Sequence, residues 1–196
     1  MTEHDGPRVP GPAALLWAMG REELADPLDP DVLAGFHPVW EKDARQFAPW
    51  QEISVYWGTC CAEESWWVSG QRFANNVVVC GACSSALDVA RPLAENRMLG
   101  PWDSVLAVRQ WSGRGQLRRA WDSPPGNLYA VLILPPVPRS LDSLAPLMLG
   151  YCIAAFFRCK KLDVGIKWPN DLILGGRKVG GILLEERKGT LLAGVG

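Results

Sequence analysis

Beyond residue 74 the sequence reads as short strand-like runs with only two helix-length stretches among them. No other feature limits the fold as much. Residues 76–80 (NVVVC), 104–108, 128–134, 164–168 and 191–195 are β-rich runs bounded by turn residues, the pattern expected of strands. Residues 172–174 and 178–184 flank Gly175-Gly176 and read as a hairpin on a two-residue glycine turn. Residues 84–98 predict a helix with Leu87, Ala90 and Leu93 on one stripe, although Pro92 falls within it. Residues 141–161 predict an apolar helix that Ser140 caps. Two helices packed with a mixed, largely antiparallel sheet make an α+β domain.

Residues 1–70 differ in kind. They hold 4 Lys+Arg against 12 Asp+Glu, net −8, while the rest carries +7 and brings the chain to −1. Six of the ten tryptophans lie there: Trp17, Trp40, Trp50, Trp57, Trp66 and Trp67. Helical pieces over 13–36, broken by Pro27 and Pro30, and a short strand over 53–57 are expected. We therefore divide the chain into an acidic, Trp-rich extension (1–70) and a domain over 71–196, which suits 196 residues. An acidic extension without a helix-turn-helix pattern argues against DNA contact, and a net charge of −1 predicts no attraction to membranes. The longest apolar stretch, 145–157, falls short of the roughly 20 residues a spanning helix needs and reads as a buried core helix. The first 12 residues show no secretory signal, so a cytoplasmic protein with reduced cysteines is expected.

Four segments could carry chemistry. With two histidines in the chain, His4 and His37, a His-based triad or metal site has little to draw on. The segment 109–121 (RQWSGRGQLRRAW) holds Arg109, Arg114, Arg118 and Arg119 and no acid. Gly113 and Gly115 let the backbone approach an anion, and arginine forks suit phosphate or carboxylate, unless the segment is a plain solvated loop. Residues 167–171 place Lys167, Asn170 and Asp171 around a Pro-Asn turn at a strand end, which is also ordinary turn chemistry. In 177–183 strict alternation puts Lys178 on one face with Gly180 and Ile182, beside a glycine-thinned surface that suits a carboxylate; an edge-strand lysine has the same pattern. Cys80 and Cys83, with Cys60 and Cys61, form a weak zinc or redox pattern, and buried inert thiols are the usual case. Neither a P-loop nor a dinucleotide fingerprint is present.

Taken in order, these segments resemble the catalytic domain of the biotin/lipoate protein ligase family, in its biotin ligase branch, over roughly residues 75–196. Residues 113–121 resemble the family's GRG(R/Q)xxRxW loop, 123–129 its SPxGNLY segment, 167–171 its KWPND motif and 177–183 its (R/K)KxxGIL strand, while 194–196 resemble the start of GxGxN. The resemblance implies a class II synthetase-like fold. It also implies a two-step reaction, in which biotin and ATP with Mg2+ give biotinyl-5′-AMP, and a lysine of a biotin carboxyl carrier domain then takes the biotinyl group. It implies biotin contacts from Ser85, Ala86, Leu87, Gln110, Arg114, Gly115, Gln116 and Lys178. ATP contacts would come from Gly113, Arg114, Arg119, Trp121, Asn170 and Asp171. Lys178, Arg114 and Lys167 would be the catalytic cations, and Lys167 and Asp171 would support the phosphate and metal region, with no residue named as a metal ligand. A homodimer is compatible with the resemblance.

The sequence departs from the family in places. Ala86 and Leu87 stand where Thr and Asn are common, and Gln116 where Arg is frequent. The family pattern continues past Gly196, so the domain is expected to be incomplete at its C-terminus. A lipoate or octanoate ligase or transferase of the same fold is the nearest alternative. That branch carries an RRxSGGG loop and a His-Asp pair, whereas this chain has GRGQ and no histidine beyond residue 37. The other alternative is a biotin-binding module without turnover.

Overall fold

A computed structural model describes residues 12–19, 24–57 and 62–196. Its strands are β1 (Ala14–Met19), β2 (Trp50–Trp57), β3 (Ala62–Ser69), β4 (Val77–Cys83), β5 (Ser104–Gln110), β6 (Tyr129–Leu134), β7 (Val164–Lys167), β8 (Asp171–Leu174), β9 (Arg177–Arg187) and β10 (Thr190–Val195). They join in one sheet of order β2-β3-β1-β4-β5-β6-β10-β9-β8-β7. The β1–β4 and β4–β5 pairs are parallel, and the other neighbours run antiparallel. The mixed, largely antiparallel sheet read from the sequence is therefore present, and it extends through the described part of residues 1–70.

Among the described residues four helices cover the sheet: α1 (Pro30–Phe36), α2 (Pro38–Gln46), α3 (Ala86–Glu95) and α4 (Ala145–Cys159). Period-2 alternation sorts the core between two faces. Leu15, Trp17, Val78, Cys80, Val105 and Ala107 point to the face covered by α3. Leu16, Val79 and Val108 point to the opposite face, with Leu33 of α1 and Ala44 of α2. The caps follow from local chemistry. Asp29 accepts the N–H groups of Asp31 and Val32 at 2.8 and 2.7 Å, and Pro30 opens α1, where a missing N–H costs little. Ser85 caps α3, whose Leu87, Val89, Ala90 and Leu93 are buried. Pro92 stays within that helix.

Three expectations are corrected. Residues 14–19 (ALLWAM) form a strand, not a helix: a short apolar run fits either period, and pairing with both β3 and β4 decides it. Ser140 is not a cap. It lies in a 3-10 turn over 139–144, and α4 begins after Leu144, with no side-chain cap bond. Nor is α4 a buried core helix. Gly150 and Ala154 face the sheet, while Met148, Tyr151 and Phe156 are exposed, because β7, β8 and β9 offer it only one face to pack on. No helix among the described residues is long and apolar enough to cross a membrane.

Candidate functional site

A cavity of about 400 Å3 opens between the N-terminus of α3, the end of β5, the loop 113–121, the start of β6 and the β8–β9–β10 ladder. That volume suits a small-molecule ligand. Each wall arises from its own local sequence. Ser85 ends the segment after β4 and starts α3, so residues 85–87 face the cavity from a helix N-terminus. Gln110, at the end of β5, bridges two walls: its Oε1 accepts the Ala86 N–H at 2.8 Å and its Nε2 donates to Ser123 Oγ at 2.9 Å.

The loop 113–121 folds back on itself through the Gly115 N–H to Arg119 carbonyl and Trp121 N–H to Gly113 carbonyl bonds, at 2.8 and 2.9 Å. Gly113 sits where a Cβ would lie 2.6 Å from the Trp121 carbonyl oxygen and 2.8 Å from Ser123 Oγ, so no side chain fits. At the tip, Leu117 and Arg118 take positive φ, and Leu117 is 85% exposed. Trp121 returns over the cavity, its ring against Gly181 and Gly196, whose missing side chains leave room for it.

Two of the cavity cations are paired. Arg114 grips Asp88 with two bonds, NH2 to Oδ1 at 2.6 Å and NH1 to Oδ2 at 3.0 Å. Burial alone would raise the Asp88 carboxyl; the Arg114 hydrogen bonds and charge, with Ser84 and Arg91, outweigh it and hold it below the ordinary carboxylate value. The same bonds raise Arg114 above its ordinary value. Lys178 Nζ lies 2.7 Å from Asp171 Oδ1 and 5.0 Å from the centre of the Trp121 ring. A carboxylate and an aromatic face thus hold the ammonium at the cavity wall. Asn170 is a structural clasp: its Nδ2 donates to the Ile182 carbonyl at 2.8 Å.

Lys178 corrects the alternation argument. Leu172 pairs with Gly180 but Ile173 pairs with Lys178, leaving Val179 as an extra residue. This bulge turns Lys178 to the side of Gly181, where a Cβ would lie 3.6 Å from the lysine Cε, and Gly180 instead faces Leu172 and the Gly196 carbonyl.

Of the residues singled out in the sequence, Ser85, Ala86, Leu87, Gln110, Arg114, Gly115, Gln116, Arg119, Trp121, Asn170, Asp171 and Lys178 line the cavity together. Two stand apart. Gly113 lies behind the wall, at the root of the loop. Lys167 is exposed at the end of β7, opposite Asp171 in the ladder and outside the wall, because the 168–170 turn separates β7 from the cavity. The sequence reading missed Tyr129, Ala130 and Val131 of β6, which also line it. The Tyr129 hydroxyl donates to the Pro124 carbonyl at 2.7 Å, so the SPPGNLY segment is the signal that could have found them. It also missed Asp88 and Ser123, which accept hydrogen bonds from Arg114 and Gln110.

Cys80 and Cys83 lie on β4 in the core beneath α3. Contact with Cys83 and burial push the Cys80 thiol well above the ordinary thiol range. Cys60 and Cys61 fall outside the described residues, as does His4. Among the described residues no three His, Cys, Asp or Glu side chains gather as a metal-ligand group.

Residues 100–195 match the Biotin/lipoate A/B protein ligase family. The chain is 42% identical over 89 residues to a biotin--[acetyl-CoA-carboxylase] ligase of Paracoccus denitrificans, covering 42% of this chain and 36% of that protein. A biotin protein ligase of Leishmania major in complex with biotin superposes with a TM-score of 0.55 at 32% identity, covering 61% of this chain and 55% of that one. One from Aquifex aeolicus in complex with biotin and ATP gives 0.54 at 31% identity, covering 63% and 51%. The chain thus spans about a third to a half of the length of these proteins.

Proposed function

We propose that this chain is a biotin protein ligase, a reading supported by the match of residues 100–195 to the biotin/lipoate A/B protein ligase family. The enzyme joins biotin to ATP, giving biotinyl-5′-AMP and pyrophosphate. It then passes the biotinyl group to a lysine on the carrier domain of a biotin-dependent carboxylase. One observation carries the reading: a single cavity gathers Lys178, Arg114 and Arg119 with the amides of Gln110, Gln116 and Asn170. The resident ligand would be an anion joined to a second anion.

In the first step the biotin carboxylate attacks the α-phosphorus, a carboxyl oxygen–phosphorus bond forms, and the bond to pyrophosphate breaks. Two negative groups must approach in a water-poor site, and fixed cations neutralise the charge that develops there. Lys178 is assigned to the carboxylate. Its ammonium has three donors, and Asp171 takes one. Arg114, on the cavity wall, and Arg119 are assigned to the adenylate and phosphates, and Lys167, one strand beyond Asp171, to nucleotide that leaves the cavity. Residues 85–87, Gly115 and Gln116 would pack on biotin, and Trp121 over the adenylate. Gly113 serves by letting the loop fold. In the second step the carrier amine attacks the acyl carbon and AMP leaves. Trp121 over Gly181 and Gly196 keeps water from the adenylate.

Mg2+ is held in such sites by one or two carboxylates together with nucleotide phosphate. Asp171 is a carboxylate on the wall and fits that donor set. Bound there, Mg2+ would neutralise phosphate charge.

The proposal keeps 71–196 as the catalytic unit and 1–70 as an acidic extension without a DNA-binding role, in the cytoplasm. A homodimer would use an edge of the sheet, β2 or β7, where ladder groups lack a neighbouring strand among the described residues. The test is to incubate the purified chain with biotin, ATP, Mg2+ and a carrier domain and to blot with streptavidin. The reading expects label on the carrier, lost in Lys178→Ala. Biotin binding by calorimetry without label would replace it with a non-catalytic module. Use of lipoate or octanoate instead of biotin would overturn the substrate.

A further inference from the structure

We propose that Asp88 is a positioning residue that tethers the loop 113–121 over the cavity by holding Arg114. The consequence for substrate rests on the biotin reading above; the tether itself does not. Asp88 lies in the first turn of α3 and is not part of the cavity wall, whereas Arg114 is. The two make a bidentate pair at 2.6 and 3.0 Å. Paired this way, the guanidinium is fixed in plane as well as in position.

The same carboxylate is held from two further sides. Ser84 Oγ donates to it at 3.1 Å and Arg91 NH1 lies 3.4 Å from it. Arg91 reaches on to Glu185 of β9 at 2.5 Å. One carboxylate therefore connects the loop and the helix directly, and the β9 ladder through Arg91. The loop needs such a hold. Residues 116–120 are exposed, and the Gly115–Arg119 and Gly113–Trp121 bonds close the loop on itself without fixing its position on α3. Nor does the cavity end of Arg114 leave the site when Asp88 takes two of its five N–H donors. Three remain for a ligand anion.

Trypsin reads the tether without any ligand, because Arg118 and Arg119 stand at the exposed tip. Losing a charge-assisted bidentate pair should speed cleavage there about tenfold in Asp88→Asn, and equally in Arg114→Gln. The double variant should be cut no faster than either single one. Arg91→Gln, which touches the same carboxylate but not the loop, should stay within about twofold of wild type. Cleavage of Asp88→Asn at the wild-type rate would overturn the proposal. So would additive effects in the double variant, or faster cleavage at every site in step with a lower melting temperature, since these mark a general role in helix stability. In turnover, Asp88→Asn should lower kcat/KM for biotin about tenfold and should add no further loss to Arg114→Gln. Additive losses in that double variant would overturn the positioning role. If wild type turns over no biotin, the functional reading fails and the proteolysis cycle alone decides the tether.

Discussion

The cavity half of the sheet and the half added by β1, β2 and β3 are held together by different means. Around the cavity, order comes from polar groups with defined partners: Gln110 between Ala86 and Ser123, Arg114 on Asp88, Lys178 on Asp171. Glycines there answer to close approach, as at Gly113 and Gly181. In the added half, order comes from apolar packing. Trp17 and Trp66 stack with centroids 5.7 Å apart and planes 11° apart, both buried, and each indole N–H lacks a hydrogen-bond partner among the described residues. The two halves meet at β4. Asp26 N–H donates to the Ala82 carbonyl at 2.7 Å and Ser84 N–H to the Leu24 carbonyl at 2.9 Å, so residues 24–26 brace the strand that delivers Ser85. A region built for chemistry is specified residue by residue, while a region built for support is specified by size and apolarity.

The largest effect should follow from emptying the support. Trp66→Ala should cost about 3–5 kcal/mol in urea unfolding, the usual range for deleting a buried tryptophan. It should leave KM for substrate unchanged at temperatures where the variant stays folded. A biphasic transition would break the comparison, because one continuous sheet predicts a single transition.

A smaller effect is expected at the seam. A Cβ at Gly81 would lie 2.8 Å from the Asp26 carbonyl oxygen, so Gly81→Ala should force that brace away at about 1–3 kcal/mol. Differential scanning fluorimetry reads the loss, and ligand affinity should fall with it if the brace does position Ser85. Smaller again is Ser85→Ala, which removes the α3 cap and should cost about 1 kcal/mol.

The smallest expected effect is with pH. The Asp88 carboxyl is lowered in the folded protein, so its contribution to stability is complete above the unfolded carboxylate value of about 4 and is lost as pH falls through the lower folded value. Melting temperatures followed downward from pH 6 should therefore drop less steeply in Asp88→Asn than in wild type. Parallel curves would remove Asp88 from the electrostatics of the cavity half.

The same contrast explains what could be read from the sequence. Lys178, Asn170, Asp171 and the arginine loop are legible because they stand as short clusters of charged and amide side chains at strand ends and beside glycines, and the fold gathers them at one cavity. β1 was not, because ALLWAM satisfies a helix as well as a strand, and its neighbours β3 and β4 are distant in the chain. The facing of Lys178 was hidden for a local reason: a one-residue bulge at Val179 reverses the alternation. Asp88 escaped notice because it carries no motif and is recognised only by its partner, 26 residues away.

The central claim is that this cavity joins biotin to the nucleotide with Lys178 at the carboxylate. The most direct measurement is biotin-dependent exchange of labelled pyrophosphate into ATP, which reports the first step without a carrier protein. The account predicts exchange that requires biotin and disappears in Lys178→Ala. Exchange that persists in Lys178→Ala, or that answers to lipoate or octanoate but not to biotin, would contradict it.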